Sequence, residues 1–181
     1  VPVSEPLVMP ELPEIEWLRR SLEPIVSRGE VVEADLRRRD VLKRRPRGVP
    51  VGVALLEGAR VAEVGRFGKR LSIIATDGRS VLVGLGMSGQ VRADADGAEI
   101  ASEPSHVHAR WRIRDRDGRP WLVSFRDPRR FGGILAFASK DEREAWIRER
   151  LGPDALDIST SGLEAAIGGS RRAIKAALLD Q

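Results

Sequence analysis

Two prolines and two carboxylates stand at the start of the first helical pattern, in Met9-Pro10-Glu11-Leu12-Pro13-Glu14. Taken alone this needs no chemistry, because prolines and acids are ordinary at a helix N-terminus. The basic residues carry a stronger signal. Of 31 Lys and Arg, only Lys43, Lys69, Lys140 and Lys175 are lysine. Arginine's planar fork grips phosphate bidentately, so the bias fits either a phosphate-binding face or a solvated, arginine-decorated surface. Arg171, Arg172 and Lys175 fall at the start of the last helical pattern, where backbone N–H groups and basic side chains together suit phosphate. His106 and His108 are the two imidazoles, and there is no cysteine. Two histidines without thiolates make a poor closed metal site, and disulfides are excluded.

These residues must be held by elements that the pattern of the chain specifies. Ile15, Leu18, Leu22 and Ile25 recur at helical spacing, predicting a helix over residues 14–27 that Pro24 ends or kinks and Gly29 follows. From Val31 to Phe137 the pattern becomes short strands. Leu71 to Ile74 and Val81 to Val83 flank Asp77-Gly78, and Trp111 to Ile113 and Trp121 to Phe125 flank Asp117-Gly118. Asp-Gly supplies the positive φ angles of tight hairpin turns, so both read as hairpins. No long helix interrupts this run, and the strands should be mainly antiparallel, in a sandwich or barrel. Helices return after Ala138. Ser139 and Glu142 have capping-box spacing ahead of a helix that stops at Leu151-Gly152-Pro153, Ser161 and Glu164 repeat the signature, and Ser170 caps a helix through Ile174, Ala177 and Leu178. That helix bears Leu178 and Leu179 and meets Gln181 without a stop signal, so the sequence reads as cut off there.

With 181 residues and 41% hydrophobic content the chain can build one domain and part of a second. No apolar run approaches a membrane span, and Val1 to Val8 lack the features of a secretion signal, which makes the cytoplasm the expected compartment. The net charge is +4 and the isoelectric point about 10.2. There are no internal repeats.

Several distinct motifs follow one another in order. Gly65-Arg66-Phe67-Gly68-Lys69 precedes a strand, Leu85-Gly86-Met87-Ser88-Gly89 follows the next, and His106-Val107-His108 opens a third. Asp127-Pro128-Arg129-Arg130-Phe131-Gly132 closes the second hairpin, and Leu151-Gly152-Pro153, Ala173-Ile174-Lys175 and Leu178-Leu179-Asp180-Gln181 follow. With Met9 to Glu14, this series resembles the formamidopyrimidine-DNA glycosylase family, the bacterial 8-oxoguanine glycosylase/lyases, from Met9 to Gln181.

The resemblance implies a mainly β, then α, chain. Residues 9–138 would be a two-sheet antiparallel β-sandwich with flanking helices, and 139–181 a linker helix and the start of a helix–two-turn–helix domain, with 1–8 an N-terminal extension. It implies a monomer that binds double-stranded DNA with damaged bases or abasic sites at the bacterial nucleoid, and no membrane. Pro10 would be the nucleophile, Glu11 the acid that assists sugar-ring opening, and Lys69 the catalytic lysine. Met87, Arg129 and Phe131 would fill the space left by a flipped nucleotide, and His106 would contact a phosphate. No cofactor is expected in this chain. Zinc belongs to the family's C-terminal four-cysteine finger, which this sequence lacks, as it lacks the Gly-Asn-Ile-Tyr turn.

Two departures bear on the reading. The family's amine is free, whereas Val1 to Val8 and Met9 precede Pro10 here, so translation starts at Met9, the extension is trimmed, or this version is inactive; a start at Met9 is the reading adopted. Ser170 stands where the family usually has a lysine. An endonuclease VIII-type enzyme acting on oxidised pyrimidines is one competing reading. Another is a non-catalytic DNA-binding module that retains the extension, and a third is a basic RNA-associated β-domain, which leaves the ordered motifs unexplained.

Overall fold

The computed structural model describes residues 10–96, 105–154 and 156–178, with the backbone alone at Leu178. The expectations for Val1 to Met9 and for Leu179 to Gln181 lie outside the described residues.

Helix α1 (Leu12–Val26) opens the chain. Its apolar stripe, Ile15, Leu18, Leu22 and Val26, is buried, as the 3.6-residue period requires. Glu14 accepts a hydrogen bond from the Glu11 backbone N–H at 3.1 Å, meeting one of the donors a helix start leaves unpaired. Pro24 lies inside the last turn and the helix runs two residues past it. Its side chain is exposed.

Nine strands follow: β1 (Glu30–Leu36), β2 (Leu42–Arg44), β3 (Val61–Phe67), β4 (Arg70–Ala75), β5 (Ser80–Gly84), β6 (Gln90–Ala95), β7 (Val107–Arg114), β8 (Pro120–Arg126) and β9 (Gly133–Phe137). Among the described residues, the helical segments within this run are a three-residue 3-10 turn at Arg39–Val41 and the four-residue α2 (Val51–Ala54). The strands form a four-stranded sheet, β1-β7-β8-β6, and a five-stranded sheet, β2-β9-β5-β4-β3. All pairings are antiparallel except β2 with β9. The expected two-sheet architecture is present, with one parallel exception at a sheet edge.

Both Asp-Gly hairpins form, but not as two-residue turns. Ala75 and Arg79 close the first, Asp115 and Arg119 the second, each with a backbone bond of 2.9 Å. Of the Asp-Gly residues only Gly78 (φ 89°) and Gly118 (φ 84°) have positive φ. The three-residue connection, a turn closed by a left-handed glycine, explains why one such residue suffices.

Facing sides of the sheets and α1 make the main core, which includes Trp111, Phe125, Leu71 and Ile73. Trp111 Nε1 donates to the Leu55 carbonyl at 2.9 Å, so the largest buried side chain leaves no indole N–H unpaired. The outer side of the five-stranded sheet is covered in part by α3 (Lys140–Arg150), where Phe137 meets Trp146 edge-on at 6.0 Å.

Ser139 caps α3 by accepting from Glu142 N–H at 3.3 Å. The Glu142 carboxylate accepts from Ala138 rather than completing the box at Ser139. In α4 (Thr160–Ile167) the cap is Ser159, not Ser161, because Ser159 Oγ accepts from Gly162 N–H at 3.1 Å. Helix α5 spans Ile174–Leu178. Ser170 Oγ accepts from Arg172 N–H in the approach to this helix, so Arg171 and Arg172 precede it instead of opening it.

The segment after α3 is tied back to the sandwich by charge. Arg66, on β3, makes a bidentate pair with Asp154 at 2.6 and 2.9 Å, and its side chain is 7% exposed. The Arg66 guanidinium holds the Asp154 carboxyl below the usual carboxylate range. A depressed folded-state pKa contributes stability that is fully present above the unfolded value, about 3.9, and is lost as pH falls through the folded value. Asp154→Asn should therefore lower stability at pH 7, and the gap to wild type should shrink as pH falls below the ordinary carboxylate range. Urea unfolding of both proteins at pH 7 and pH 3 measures this. An equal gap at both values would deny the pair this role.

Candidate active site

Turn β3–β4 and the loops after β5 and β8 meet at one end of the five-stranded sheet, beside the start of α1. They enclose a cavity of about 320 Å³ lined by Pro10, Lys43, Lys69, Arg70, Gly84 and Phe131, among others. Its residues are far apart in sequence, and the topology alone unites them.

Lys69 occupies the turn between β3 and β4. Gly65-Arg66-Phe67 is the end of β3 itself, so this motif closes one strand and begins the next rather than simply preceding a strand. Lys69 Nζ lies 2.6 Å from Glu11 Oε2, with both side chains partly exposed. A pair this exposed adds little to stability. Its consequence is placement: a carboxylate and an ammonium are held together next to Pro10.

The opposite wall depends on two backbone loops in close approach. Gly86 has φ 60°, and a Cβ there would stand 2.5 Å from Gly132 N and 2.6 Å from the Phe131 carbonyl carbon. Gly132 is equally constrained, with Gly84 O at 2.5 Å from its Cβ position. Any larger residue at either place would force the loops apart.

A buried carboxylate sets the shape of the 127–132 loop. Asp127 is fully buried. Its Oδ1 accepts from Ser88 Oγ–H at 2.5 Å and its Oδ2 from Gly132 N–H at 2.7 Å. Ser88 Oγ in turn accepts from Arg129 N–H at 3.2 Å. His108 Nε2 lies 2.7 Å from the Asp127 carbonyl; a carbonyl only accepts, so this nitrogen carries the proton. The loop thereby presents Phe131, 60% exposed, with the Arg129 guanidinium 4.7 Å from its ring centroid. Met87, half-buried, sits in the facing loop after β5.

His106 is exposed at the mouth of β7, in the left-handed region at φ 66°, and its carbonyl accepts from Asp127 N–H at 3.1 Å. It is thus linked to the loop by backbone. Arg171, Arg172 and Lys175 are exposed and do not line the cavity; α5 packs on α4. The structure brings Pro10, Glu11, Lys69 and Phe131 to one place, with Arg129 and Met87 nearby, and leaves the C-terminal cations apart. Lys43, Arg70 and the Ser88–Asp127–His108 support were not singled out from sequence. Lys43 and Arg70 gave no signal in so basic a chain, whereas Ser88 and Asp127 lie within two of the ordered motifs.

Residues 9–134 match the family described as formamidopyrimidine-DNA glycosylase N-terminal domain. The chain belongs to this family. Formamidopyrimidine-DNA glycosylase of Brucella canis is 35% identical over 185 aligned positions, covering 96% of this chain and 62% of the relative. The Chelativorans protein of the same name is 32% identical, covering 96% and 61%. This chain thus spans about three fifths of the curated relatives it matches. Among solved structures, the Lactococcus lactis family member bound non-covalently to DNA containing an abasic site has a TM-score of 0.72 at 22% identity, over 94% of this chain and 62% of that one. A complex of the same protein with DNA containing a formamidopyrimidine deoxyguanosine has a TM-score of 0.73 at 21% identity, covering 94% and 61%. These structures share the fold.

The chain has no cysteine, and no group of three or more His, Asp or Glu among the described residues could hold a metal. No helix of the described residues is long and apolar enough to cross a membrane.

Proposed function

We propose that this chain is the catalytic part of a base-excision repair enzyme that removes oxidised purines, 8-oxoguanine and formamidopyrimidines, from duplex DNA and then cleaves the strand at the abasic site. The observation that carries it is the convergence of Pro10 and the Glu11–Lys69 pair on one cavity, faced by the exposed Phe131. Family membership supports it, as do the names of the relatives and the damaged DNA in the Lactococcus complexes.

The chemistry follows from a terminal proline amine. Desolvation at the cavity wall disfavours the charged form, so a useful neutral fraction exists near pH 7. The nitrogen lone pair attacks the sugar C1′, the glycosidic bond breaks, and the base leaves with its bonding electrons and is protonated. Glu11, a carboxylate beside Lys69, takes the proton that the attacking nitrogen sheds and delivers it to the ring oxygen as the C1′–O4′ bond opens, giving an iminium. That cation is an electron sink for the C2′ proton; its removal expels the 3′ phosphate and breaks the strand. Water then hydrolyses the imine and frees the amine. Lys69 keeps Glu11 oriented and offers positive charge to a phosphate beside the reacting sugar.

In this reading Phe131 stacks in the gap left by the flipped nucleotide, Met87 fills its irregular edge and Arg129 pairs with the orphaned base. His106, Arg171, Arg172 and Lys175 contact phosphates, α4 and α5 begin a helix–two-turn–helix domain, and the enzyme works as a monomer on nucleoid DNA in a bacterial cytoplasm. Because Phe131 is largely exposed, Phe131→Ala should leave the melting temperature nearly unchanged. It should weaken binding to lesion DNA by about 1–3 kcal/mol, the size of a lost base–aromatic stack. Large melting losses with unaltered lesion preference would refute insertion. The overall function is tested by incubating protein that begins at Pro10 with duplexes bearing 8-oxoguanine, an oxidised pyrimidine or no lesion. Release of the oxidised purine with strand nicking is expected. Selective nicking at the pyrimidine, or binding without either product, would overturn it.

A further inference from the structure

Arg70 is half-buried against the cavity, directly beside Lys69 in sequence, and among the described residues no carboxylate pairs with it. Burial alone pushes its guanidinium down from the ordinary value, with no anion to offset the cost. The group nevertheless stays charged at neutral pH. Its guanidinium carbon lies 5.2 Å from the centroid of the Trp146 ring, which holds the fork in place without neutralising it.

The sheet register keeps a channel open for this side chain. Arg70 pairs with Gly84 across β4 and β5. A Cβ on residue 84 would stand 3.8 Å from Arg70 Cγ and 3.9 Å from Nε. That alone is ordinary contact, but any side chain extending further would compete with the arginine for the cavity wall. The other cations at the wall are differently engaged: Lys69 meets Glu11 at 2.6 Å, and Lys43 donates to the Asp40 carbonyl at 2.7 Å. Among the described residues no acid lines the cavity wall itself, and Glu11 reaches its edge only through Lys69.

We propose that Arg70 binds a backbone phosphate of the DNA strand, the one flanking the nucleotide held in the cavity, and that Gly84 is the residue that leaves it room. This rests on the DNA-repair reading above and assigns that site a phosphate contact from a residue outside the ordered motifs. A phosphodiester supplies what the geometry lacks: one negative charge shared by two non-bridging oxygens, matched to the guanidinium fork of an arginine that no carboxylate among the described residues pairs with.

The experiment uses protein that begins at Pro10 and measures binding to a duplex carrying a tetrahydrofuran abasic analogue across a salt series, with borohydride trapping of the form without further substitution, the wild type below, on a natural abasic site in parallel. Arg70→Gln is expected to weaken binding about tenfold or more and to flatten the log–log salt dependence by about 0.9. Arg70→Lys should keep the slope at reduced affinity, since the charge remains and the fork is lost. Gly84→Leu, with Arg70 intact, should weaken binding by crowding it. If wild type binds and is trapped while Arg70→Gln keeps its slope, the phosphate assignment fails and the repair reading stands. A lower melting temperature with an unchanged slope also overturns it, since Arg70 would then serve only to pack on Trp146. If wild type neither binds nor is trapped, the repair reading fails and this proposal with it.

Discussion

Asp127→Ala is expected to cost the protein both stability and its grip on damaged DNA. The substitution strands two buried donors, Gly132 N–H and Ser88 O–H, and a buried donor left unpaired costs about 1–3 kcal/mol each. Ser88 would also be free to turn away from Arg129 N–H, which it now holds. The loop carrying Arg129 and Phe131 then loses the contacts that fix its path, so lesion binding should fall by at least as much as in Phe131→Ala. Asp127→Asn keeps one acceptor and the volume, and should lie between alanine and wild type. Urea unfolding together with binding to lesion and intact duplexes reads both effects. If Asp127→Ala were within about 0.5 kcal/mol of wild type, as surface substitutions are, the carboxylate would not be organising the loop.

How far the fold was legible depended on the range of the interactions that decide it. Helix α1 and the two hairpins were readable because their causes are local: an apolar stripe at helical spacing, and glycines that take the positive φ of Gly78 and Gly118 without the strain of a Cβ. Strand β3 was not read in full. Val61–Phe67 has no clean alternation, since both Val64 and Gly65 are buried while Ala62 and Glu63 are exposed. The parallel pairing of Leu42 with Ile134 joins segments about ninety residues apart, with nothing in either to announce the other. In Ser159-Thr160-Ser161-Gly162 several residues could cap a helix. Ser159 does so because its Oγ reaches Gly162 N–H, and spacing to the next acid favoured the wrong serine.

The site divides in the same way. Pro10, Glu11, Lys69 and Phe131 were found through ordered motifs, and the cavity at which they gather came only with the fold. Arg70 was invisible, because one arginine in an arginine-rich chain carries no signal until its burial and missing partner are seen. Asp127 lies within a motif whose sequence gives it no role of its own. Its importance lies in hydrogen bonds to Ser88 and Gly132, which no sequence pattern reveals.

The largest functional effect is expected at Pro10 itself. Within a chain, proline nitrogen is a tertiary amide whose lone pair is delocalised into the carbonyl. It cannot add to C1′, so protein that retains residues ahead of Pro10 should form no imine, and lyase activity should fall to background rather than by a modest factor. Binding to DNA should persist, because the cavity and the Phe131 loop are untouched.

The most direct measurement is borohydride trapping followed by intact-mass analysis. Protein beginning at Pro10 and protein retaining Val1 are each incubated with duplex DNA bearing an abasic site, reduced, and weighed with their peptides. A covalent adduct is expected only with the first, at the mass of protein plus the cleaved sugar-phosphate strand, mapped to the peptide that begins at Pro10. An adduct on protein that still carries Val1, or one mapped to Lys69, would contradict the account.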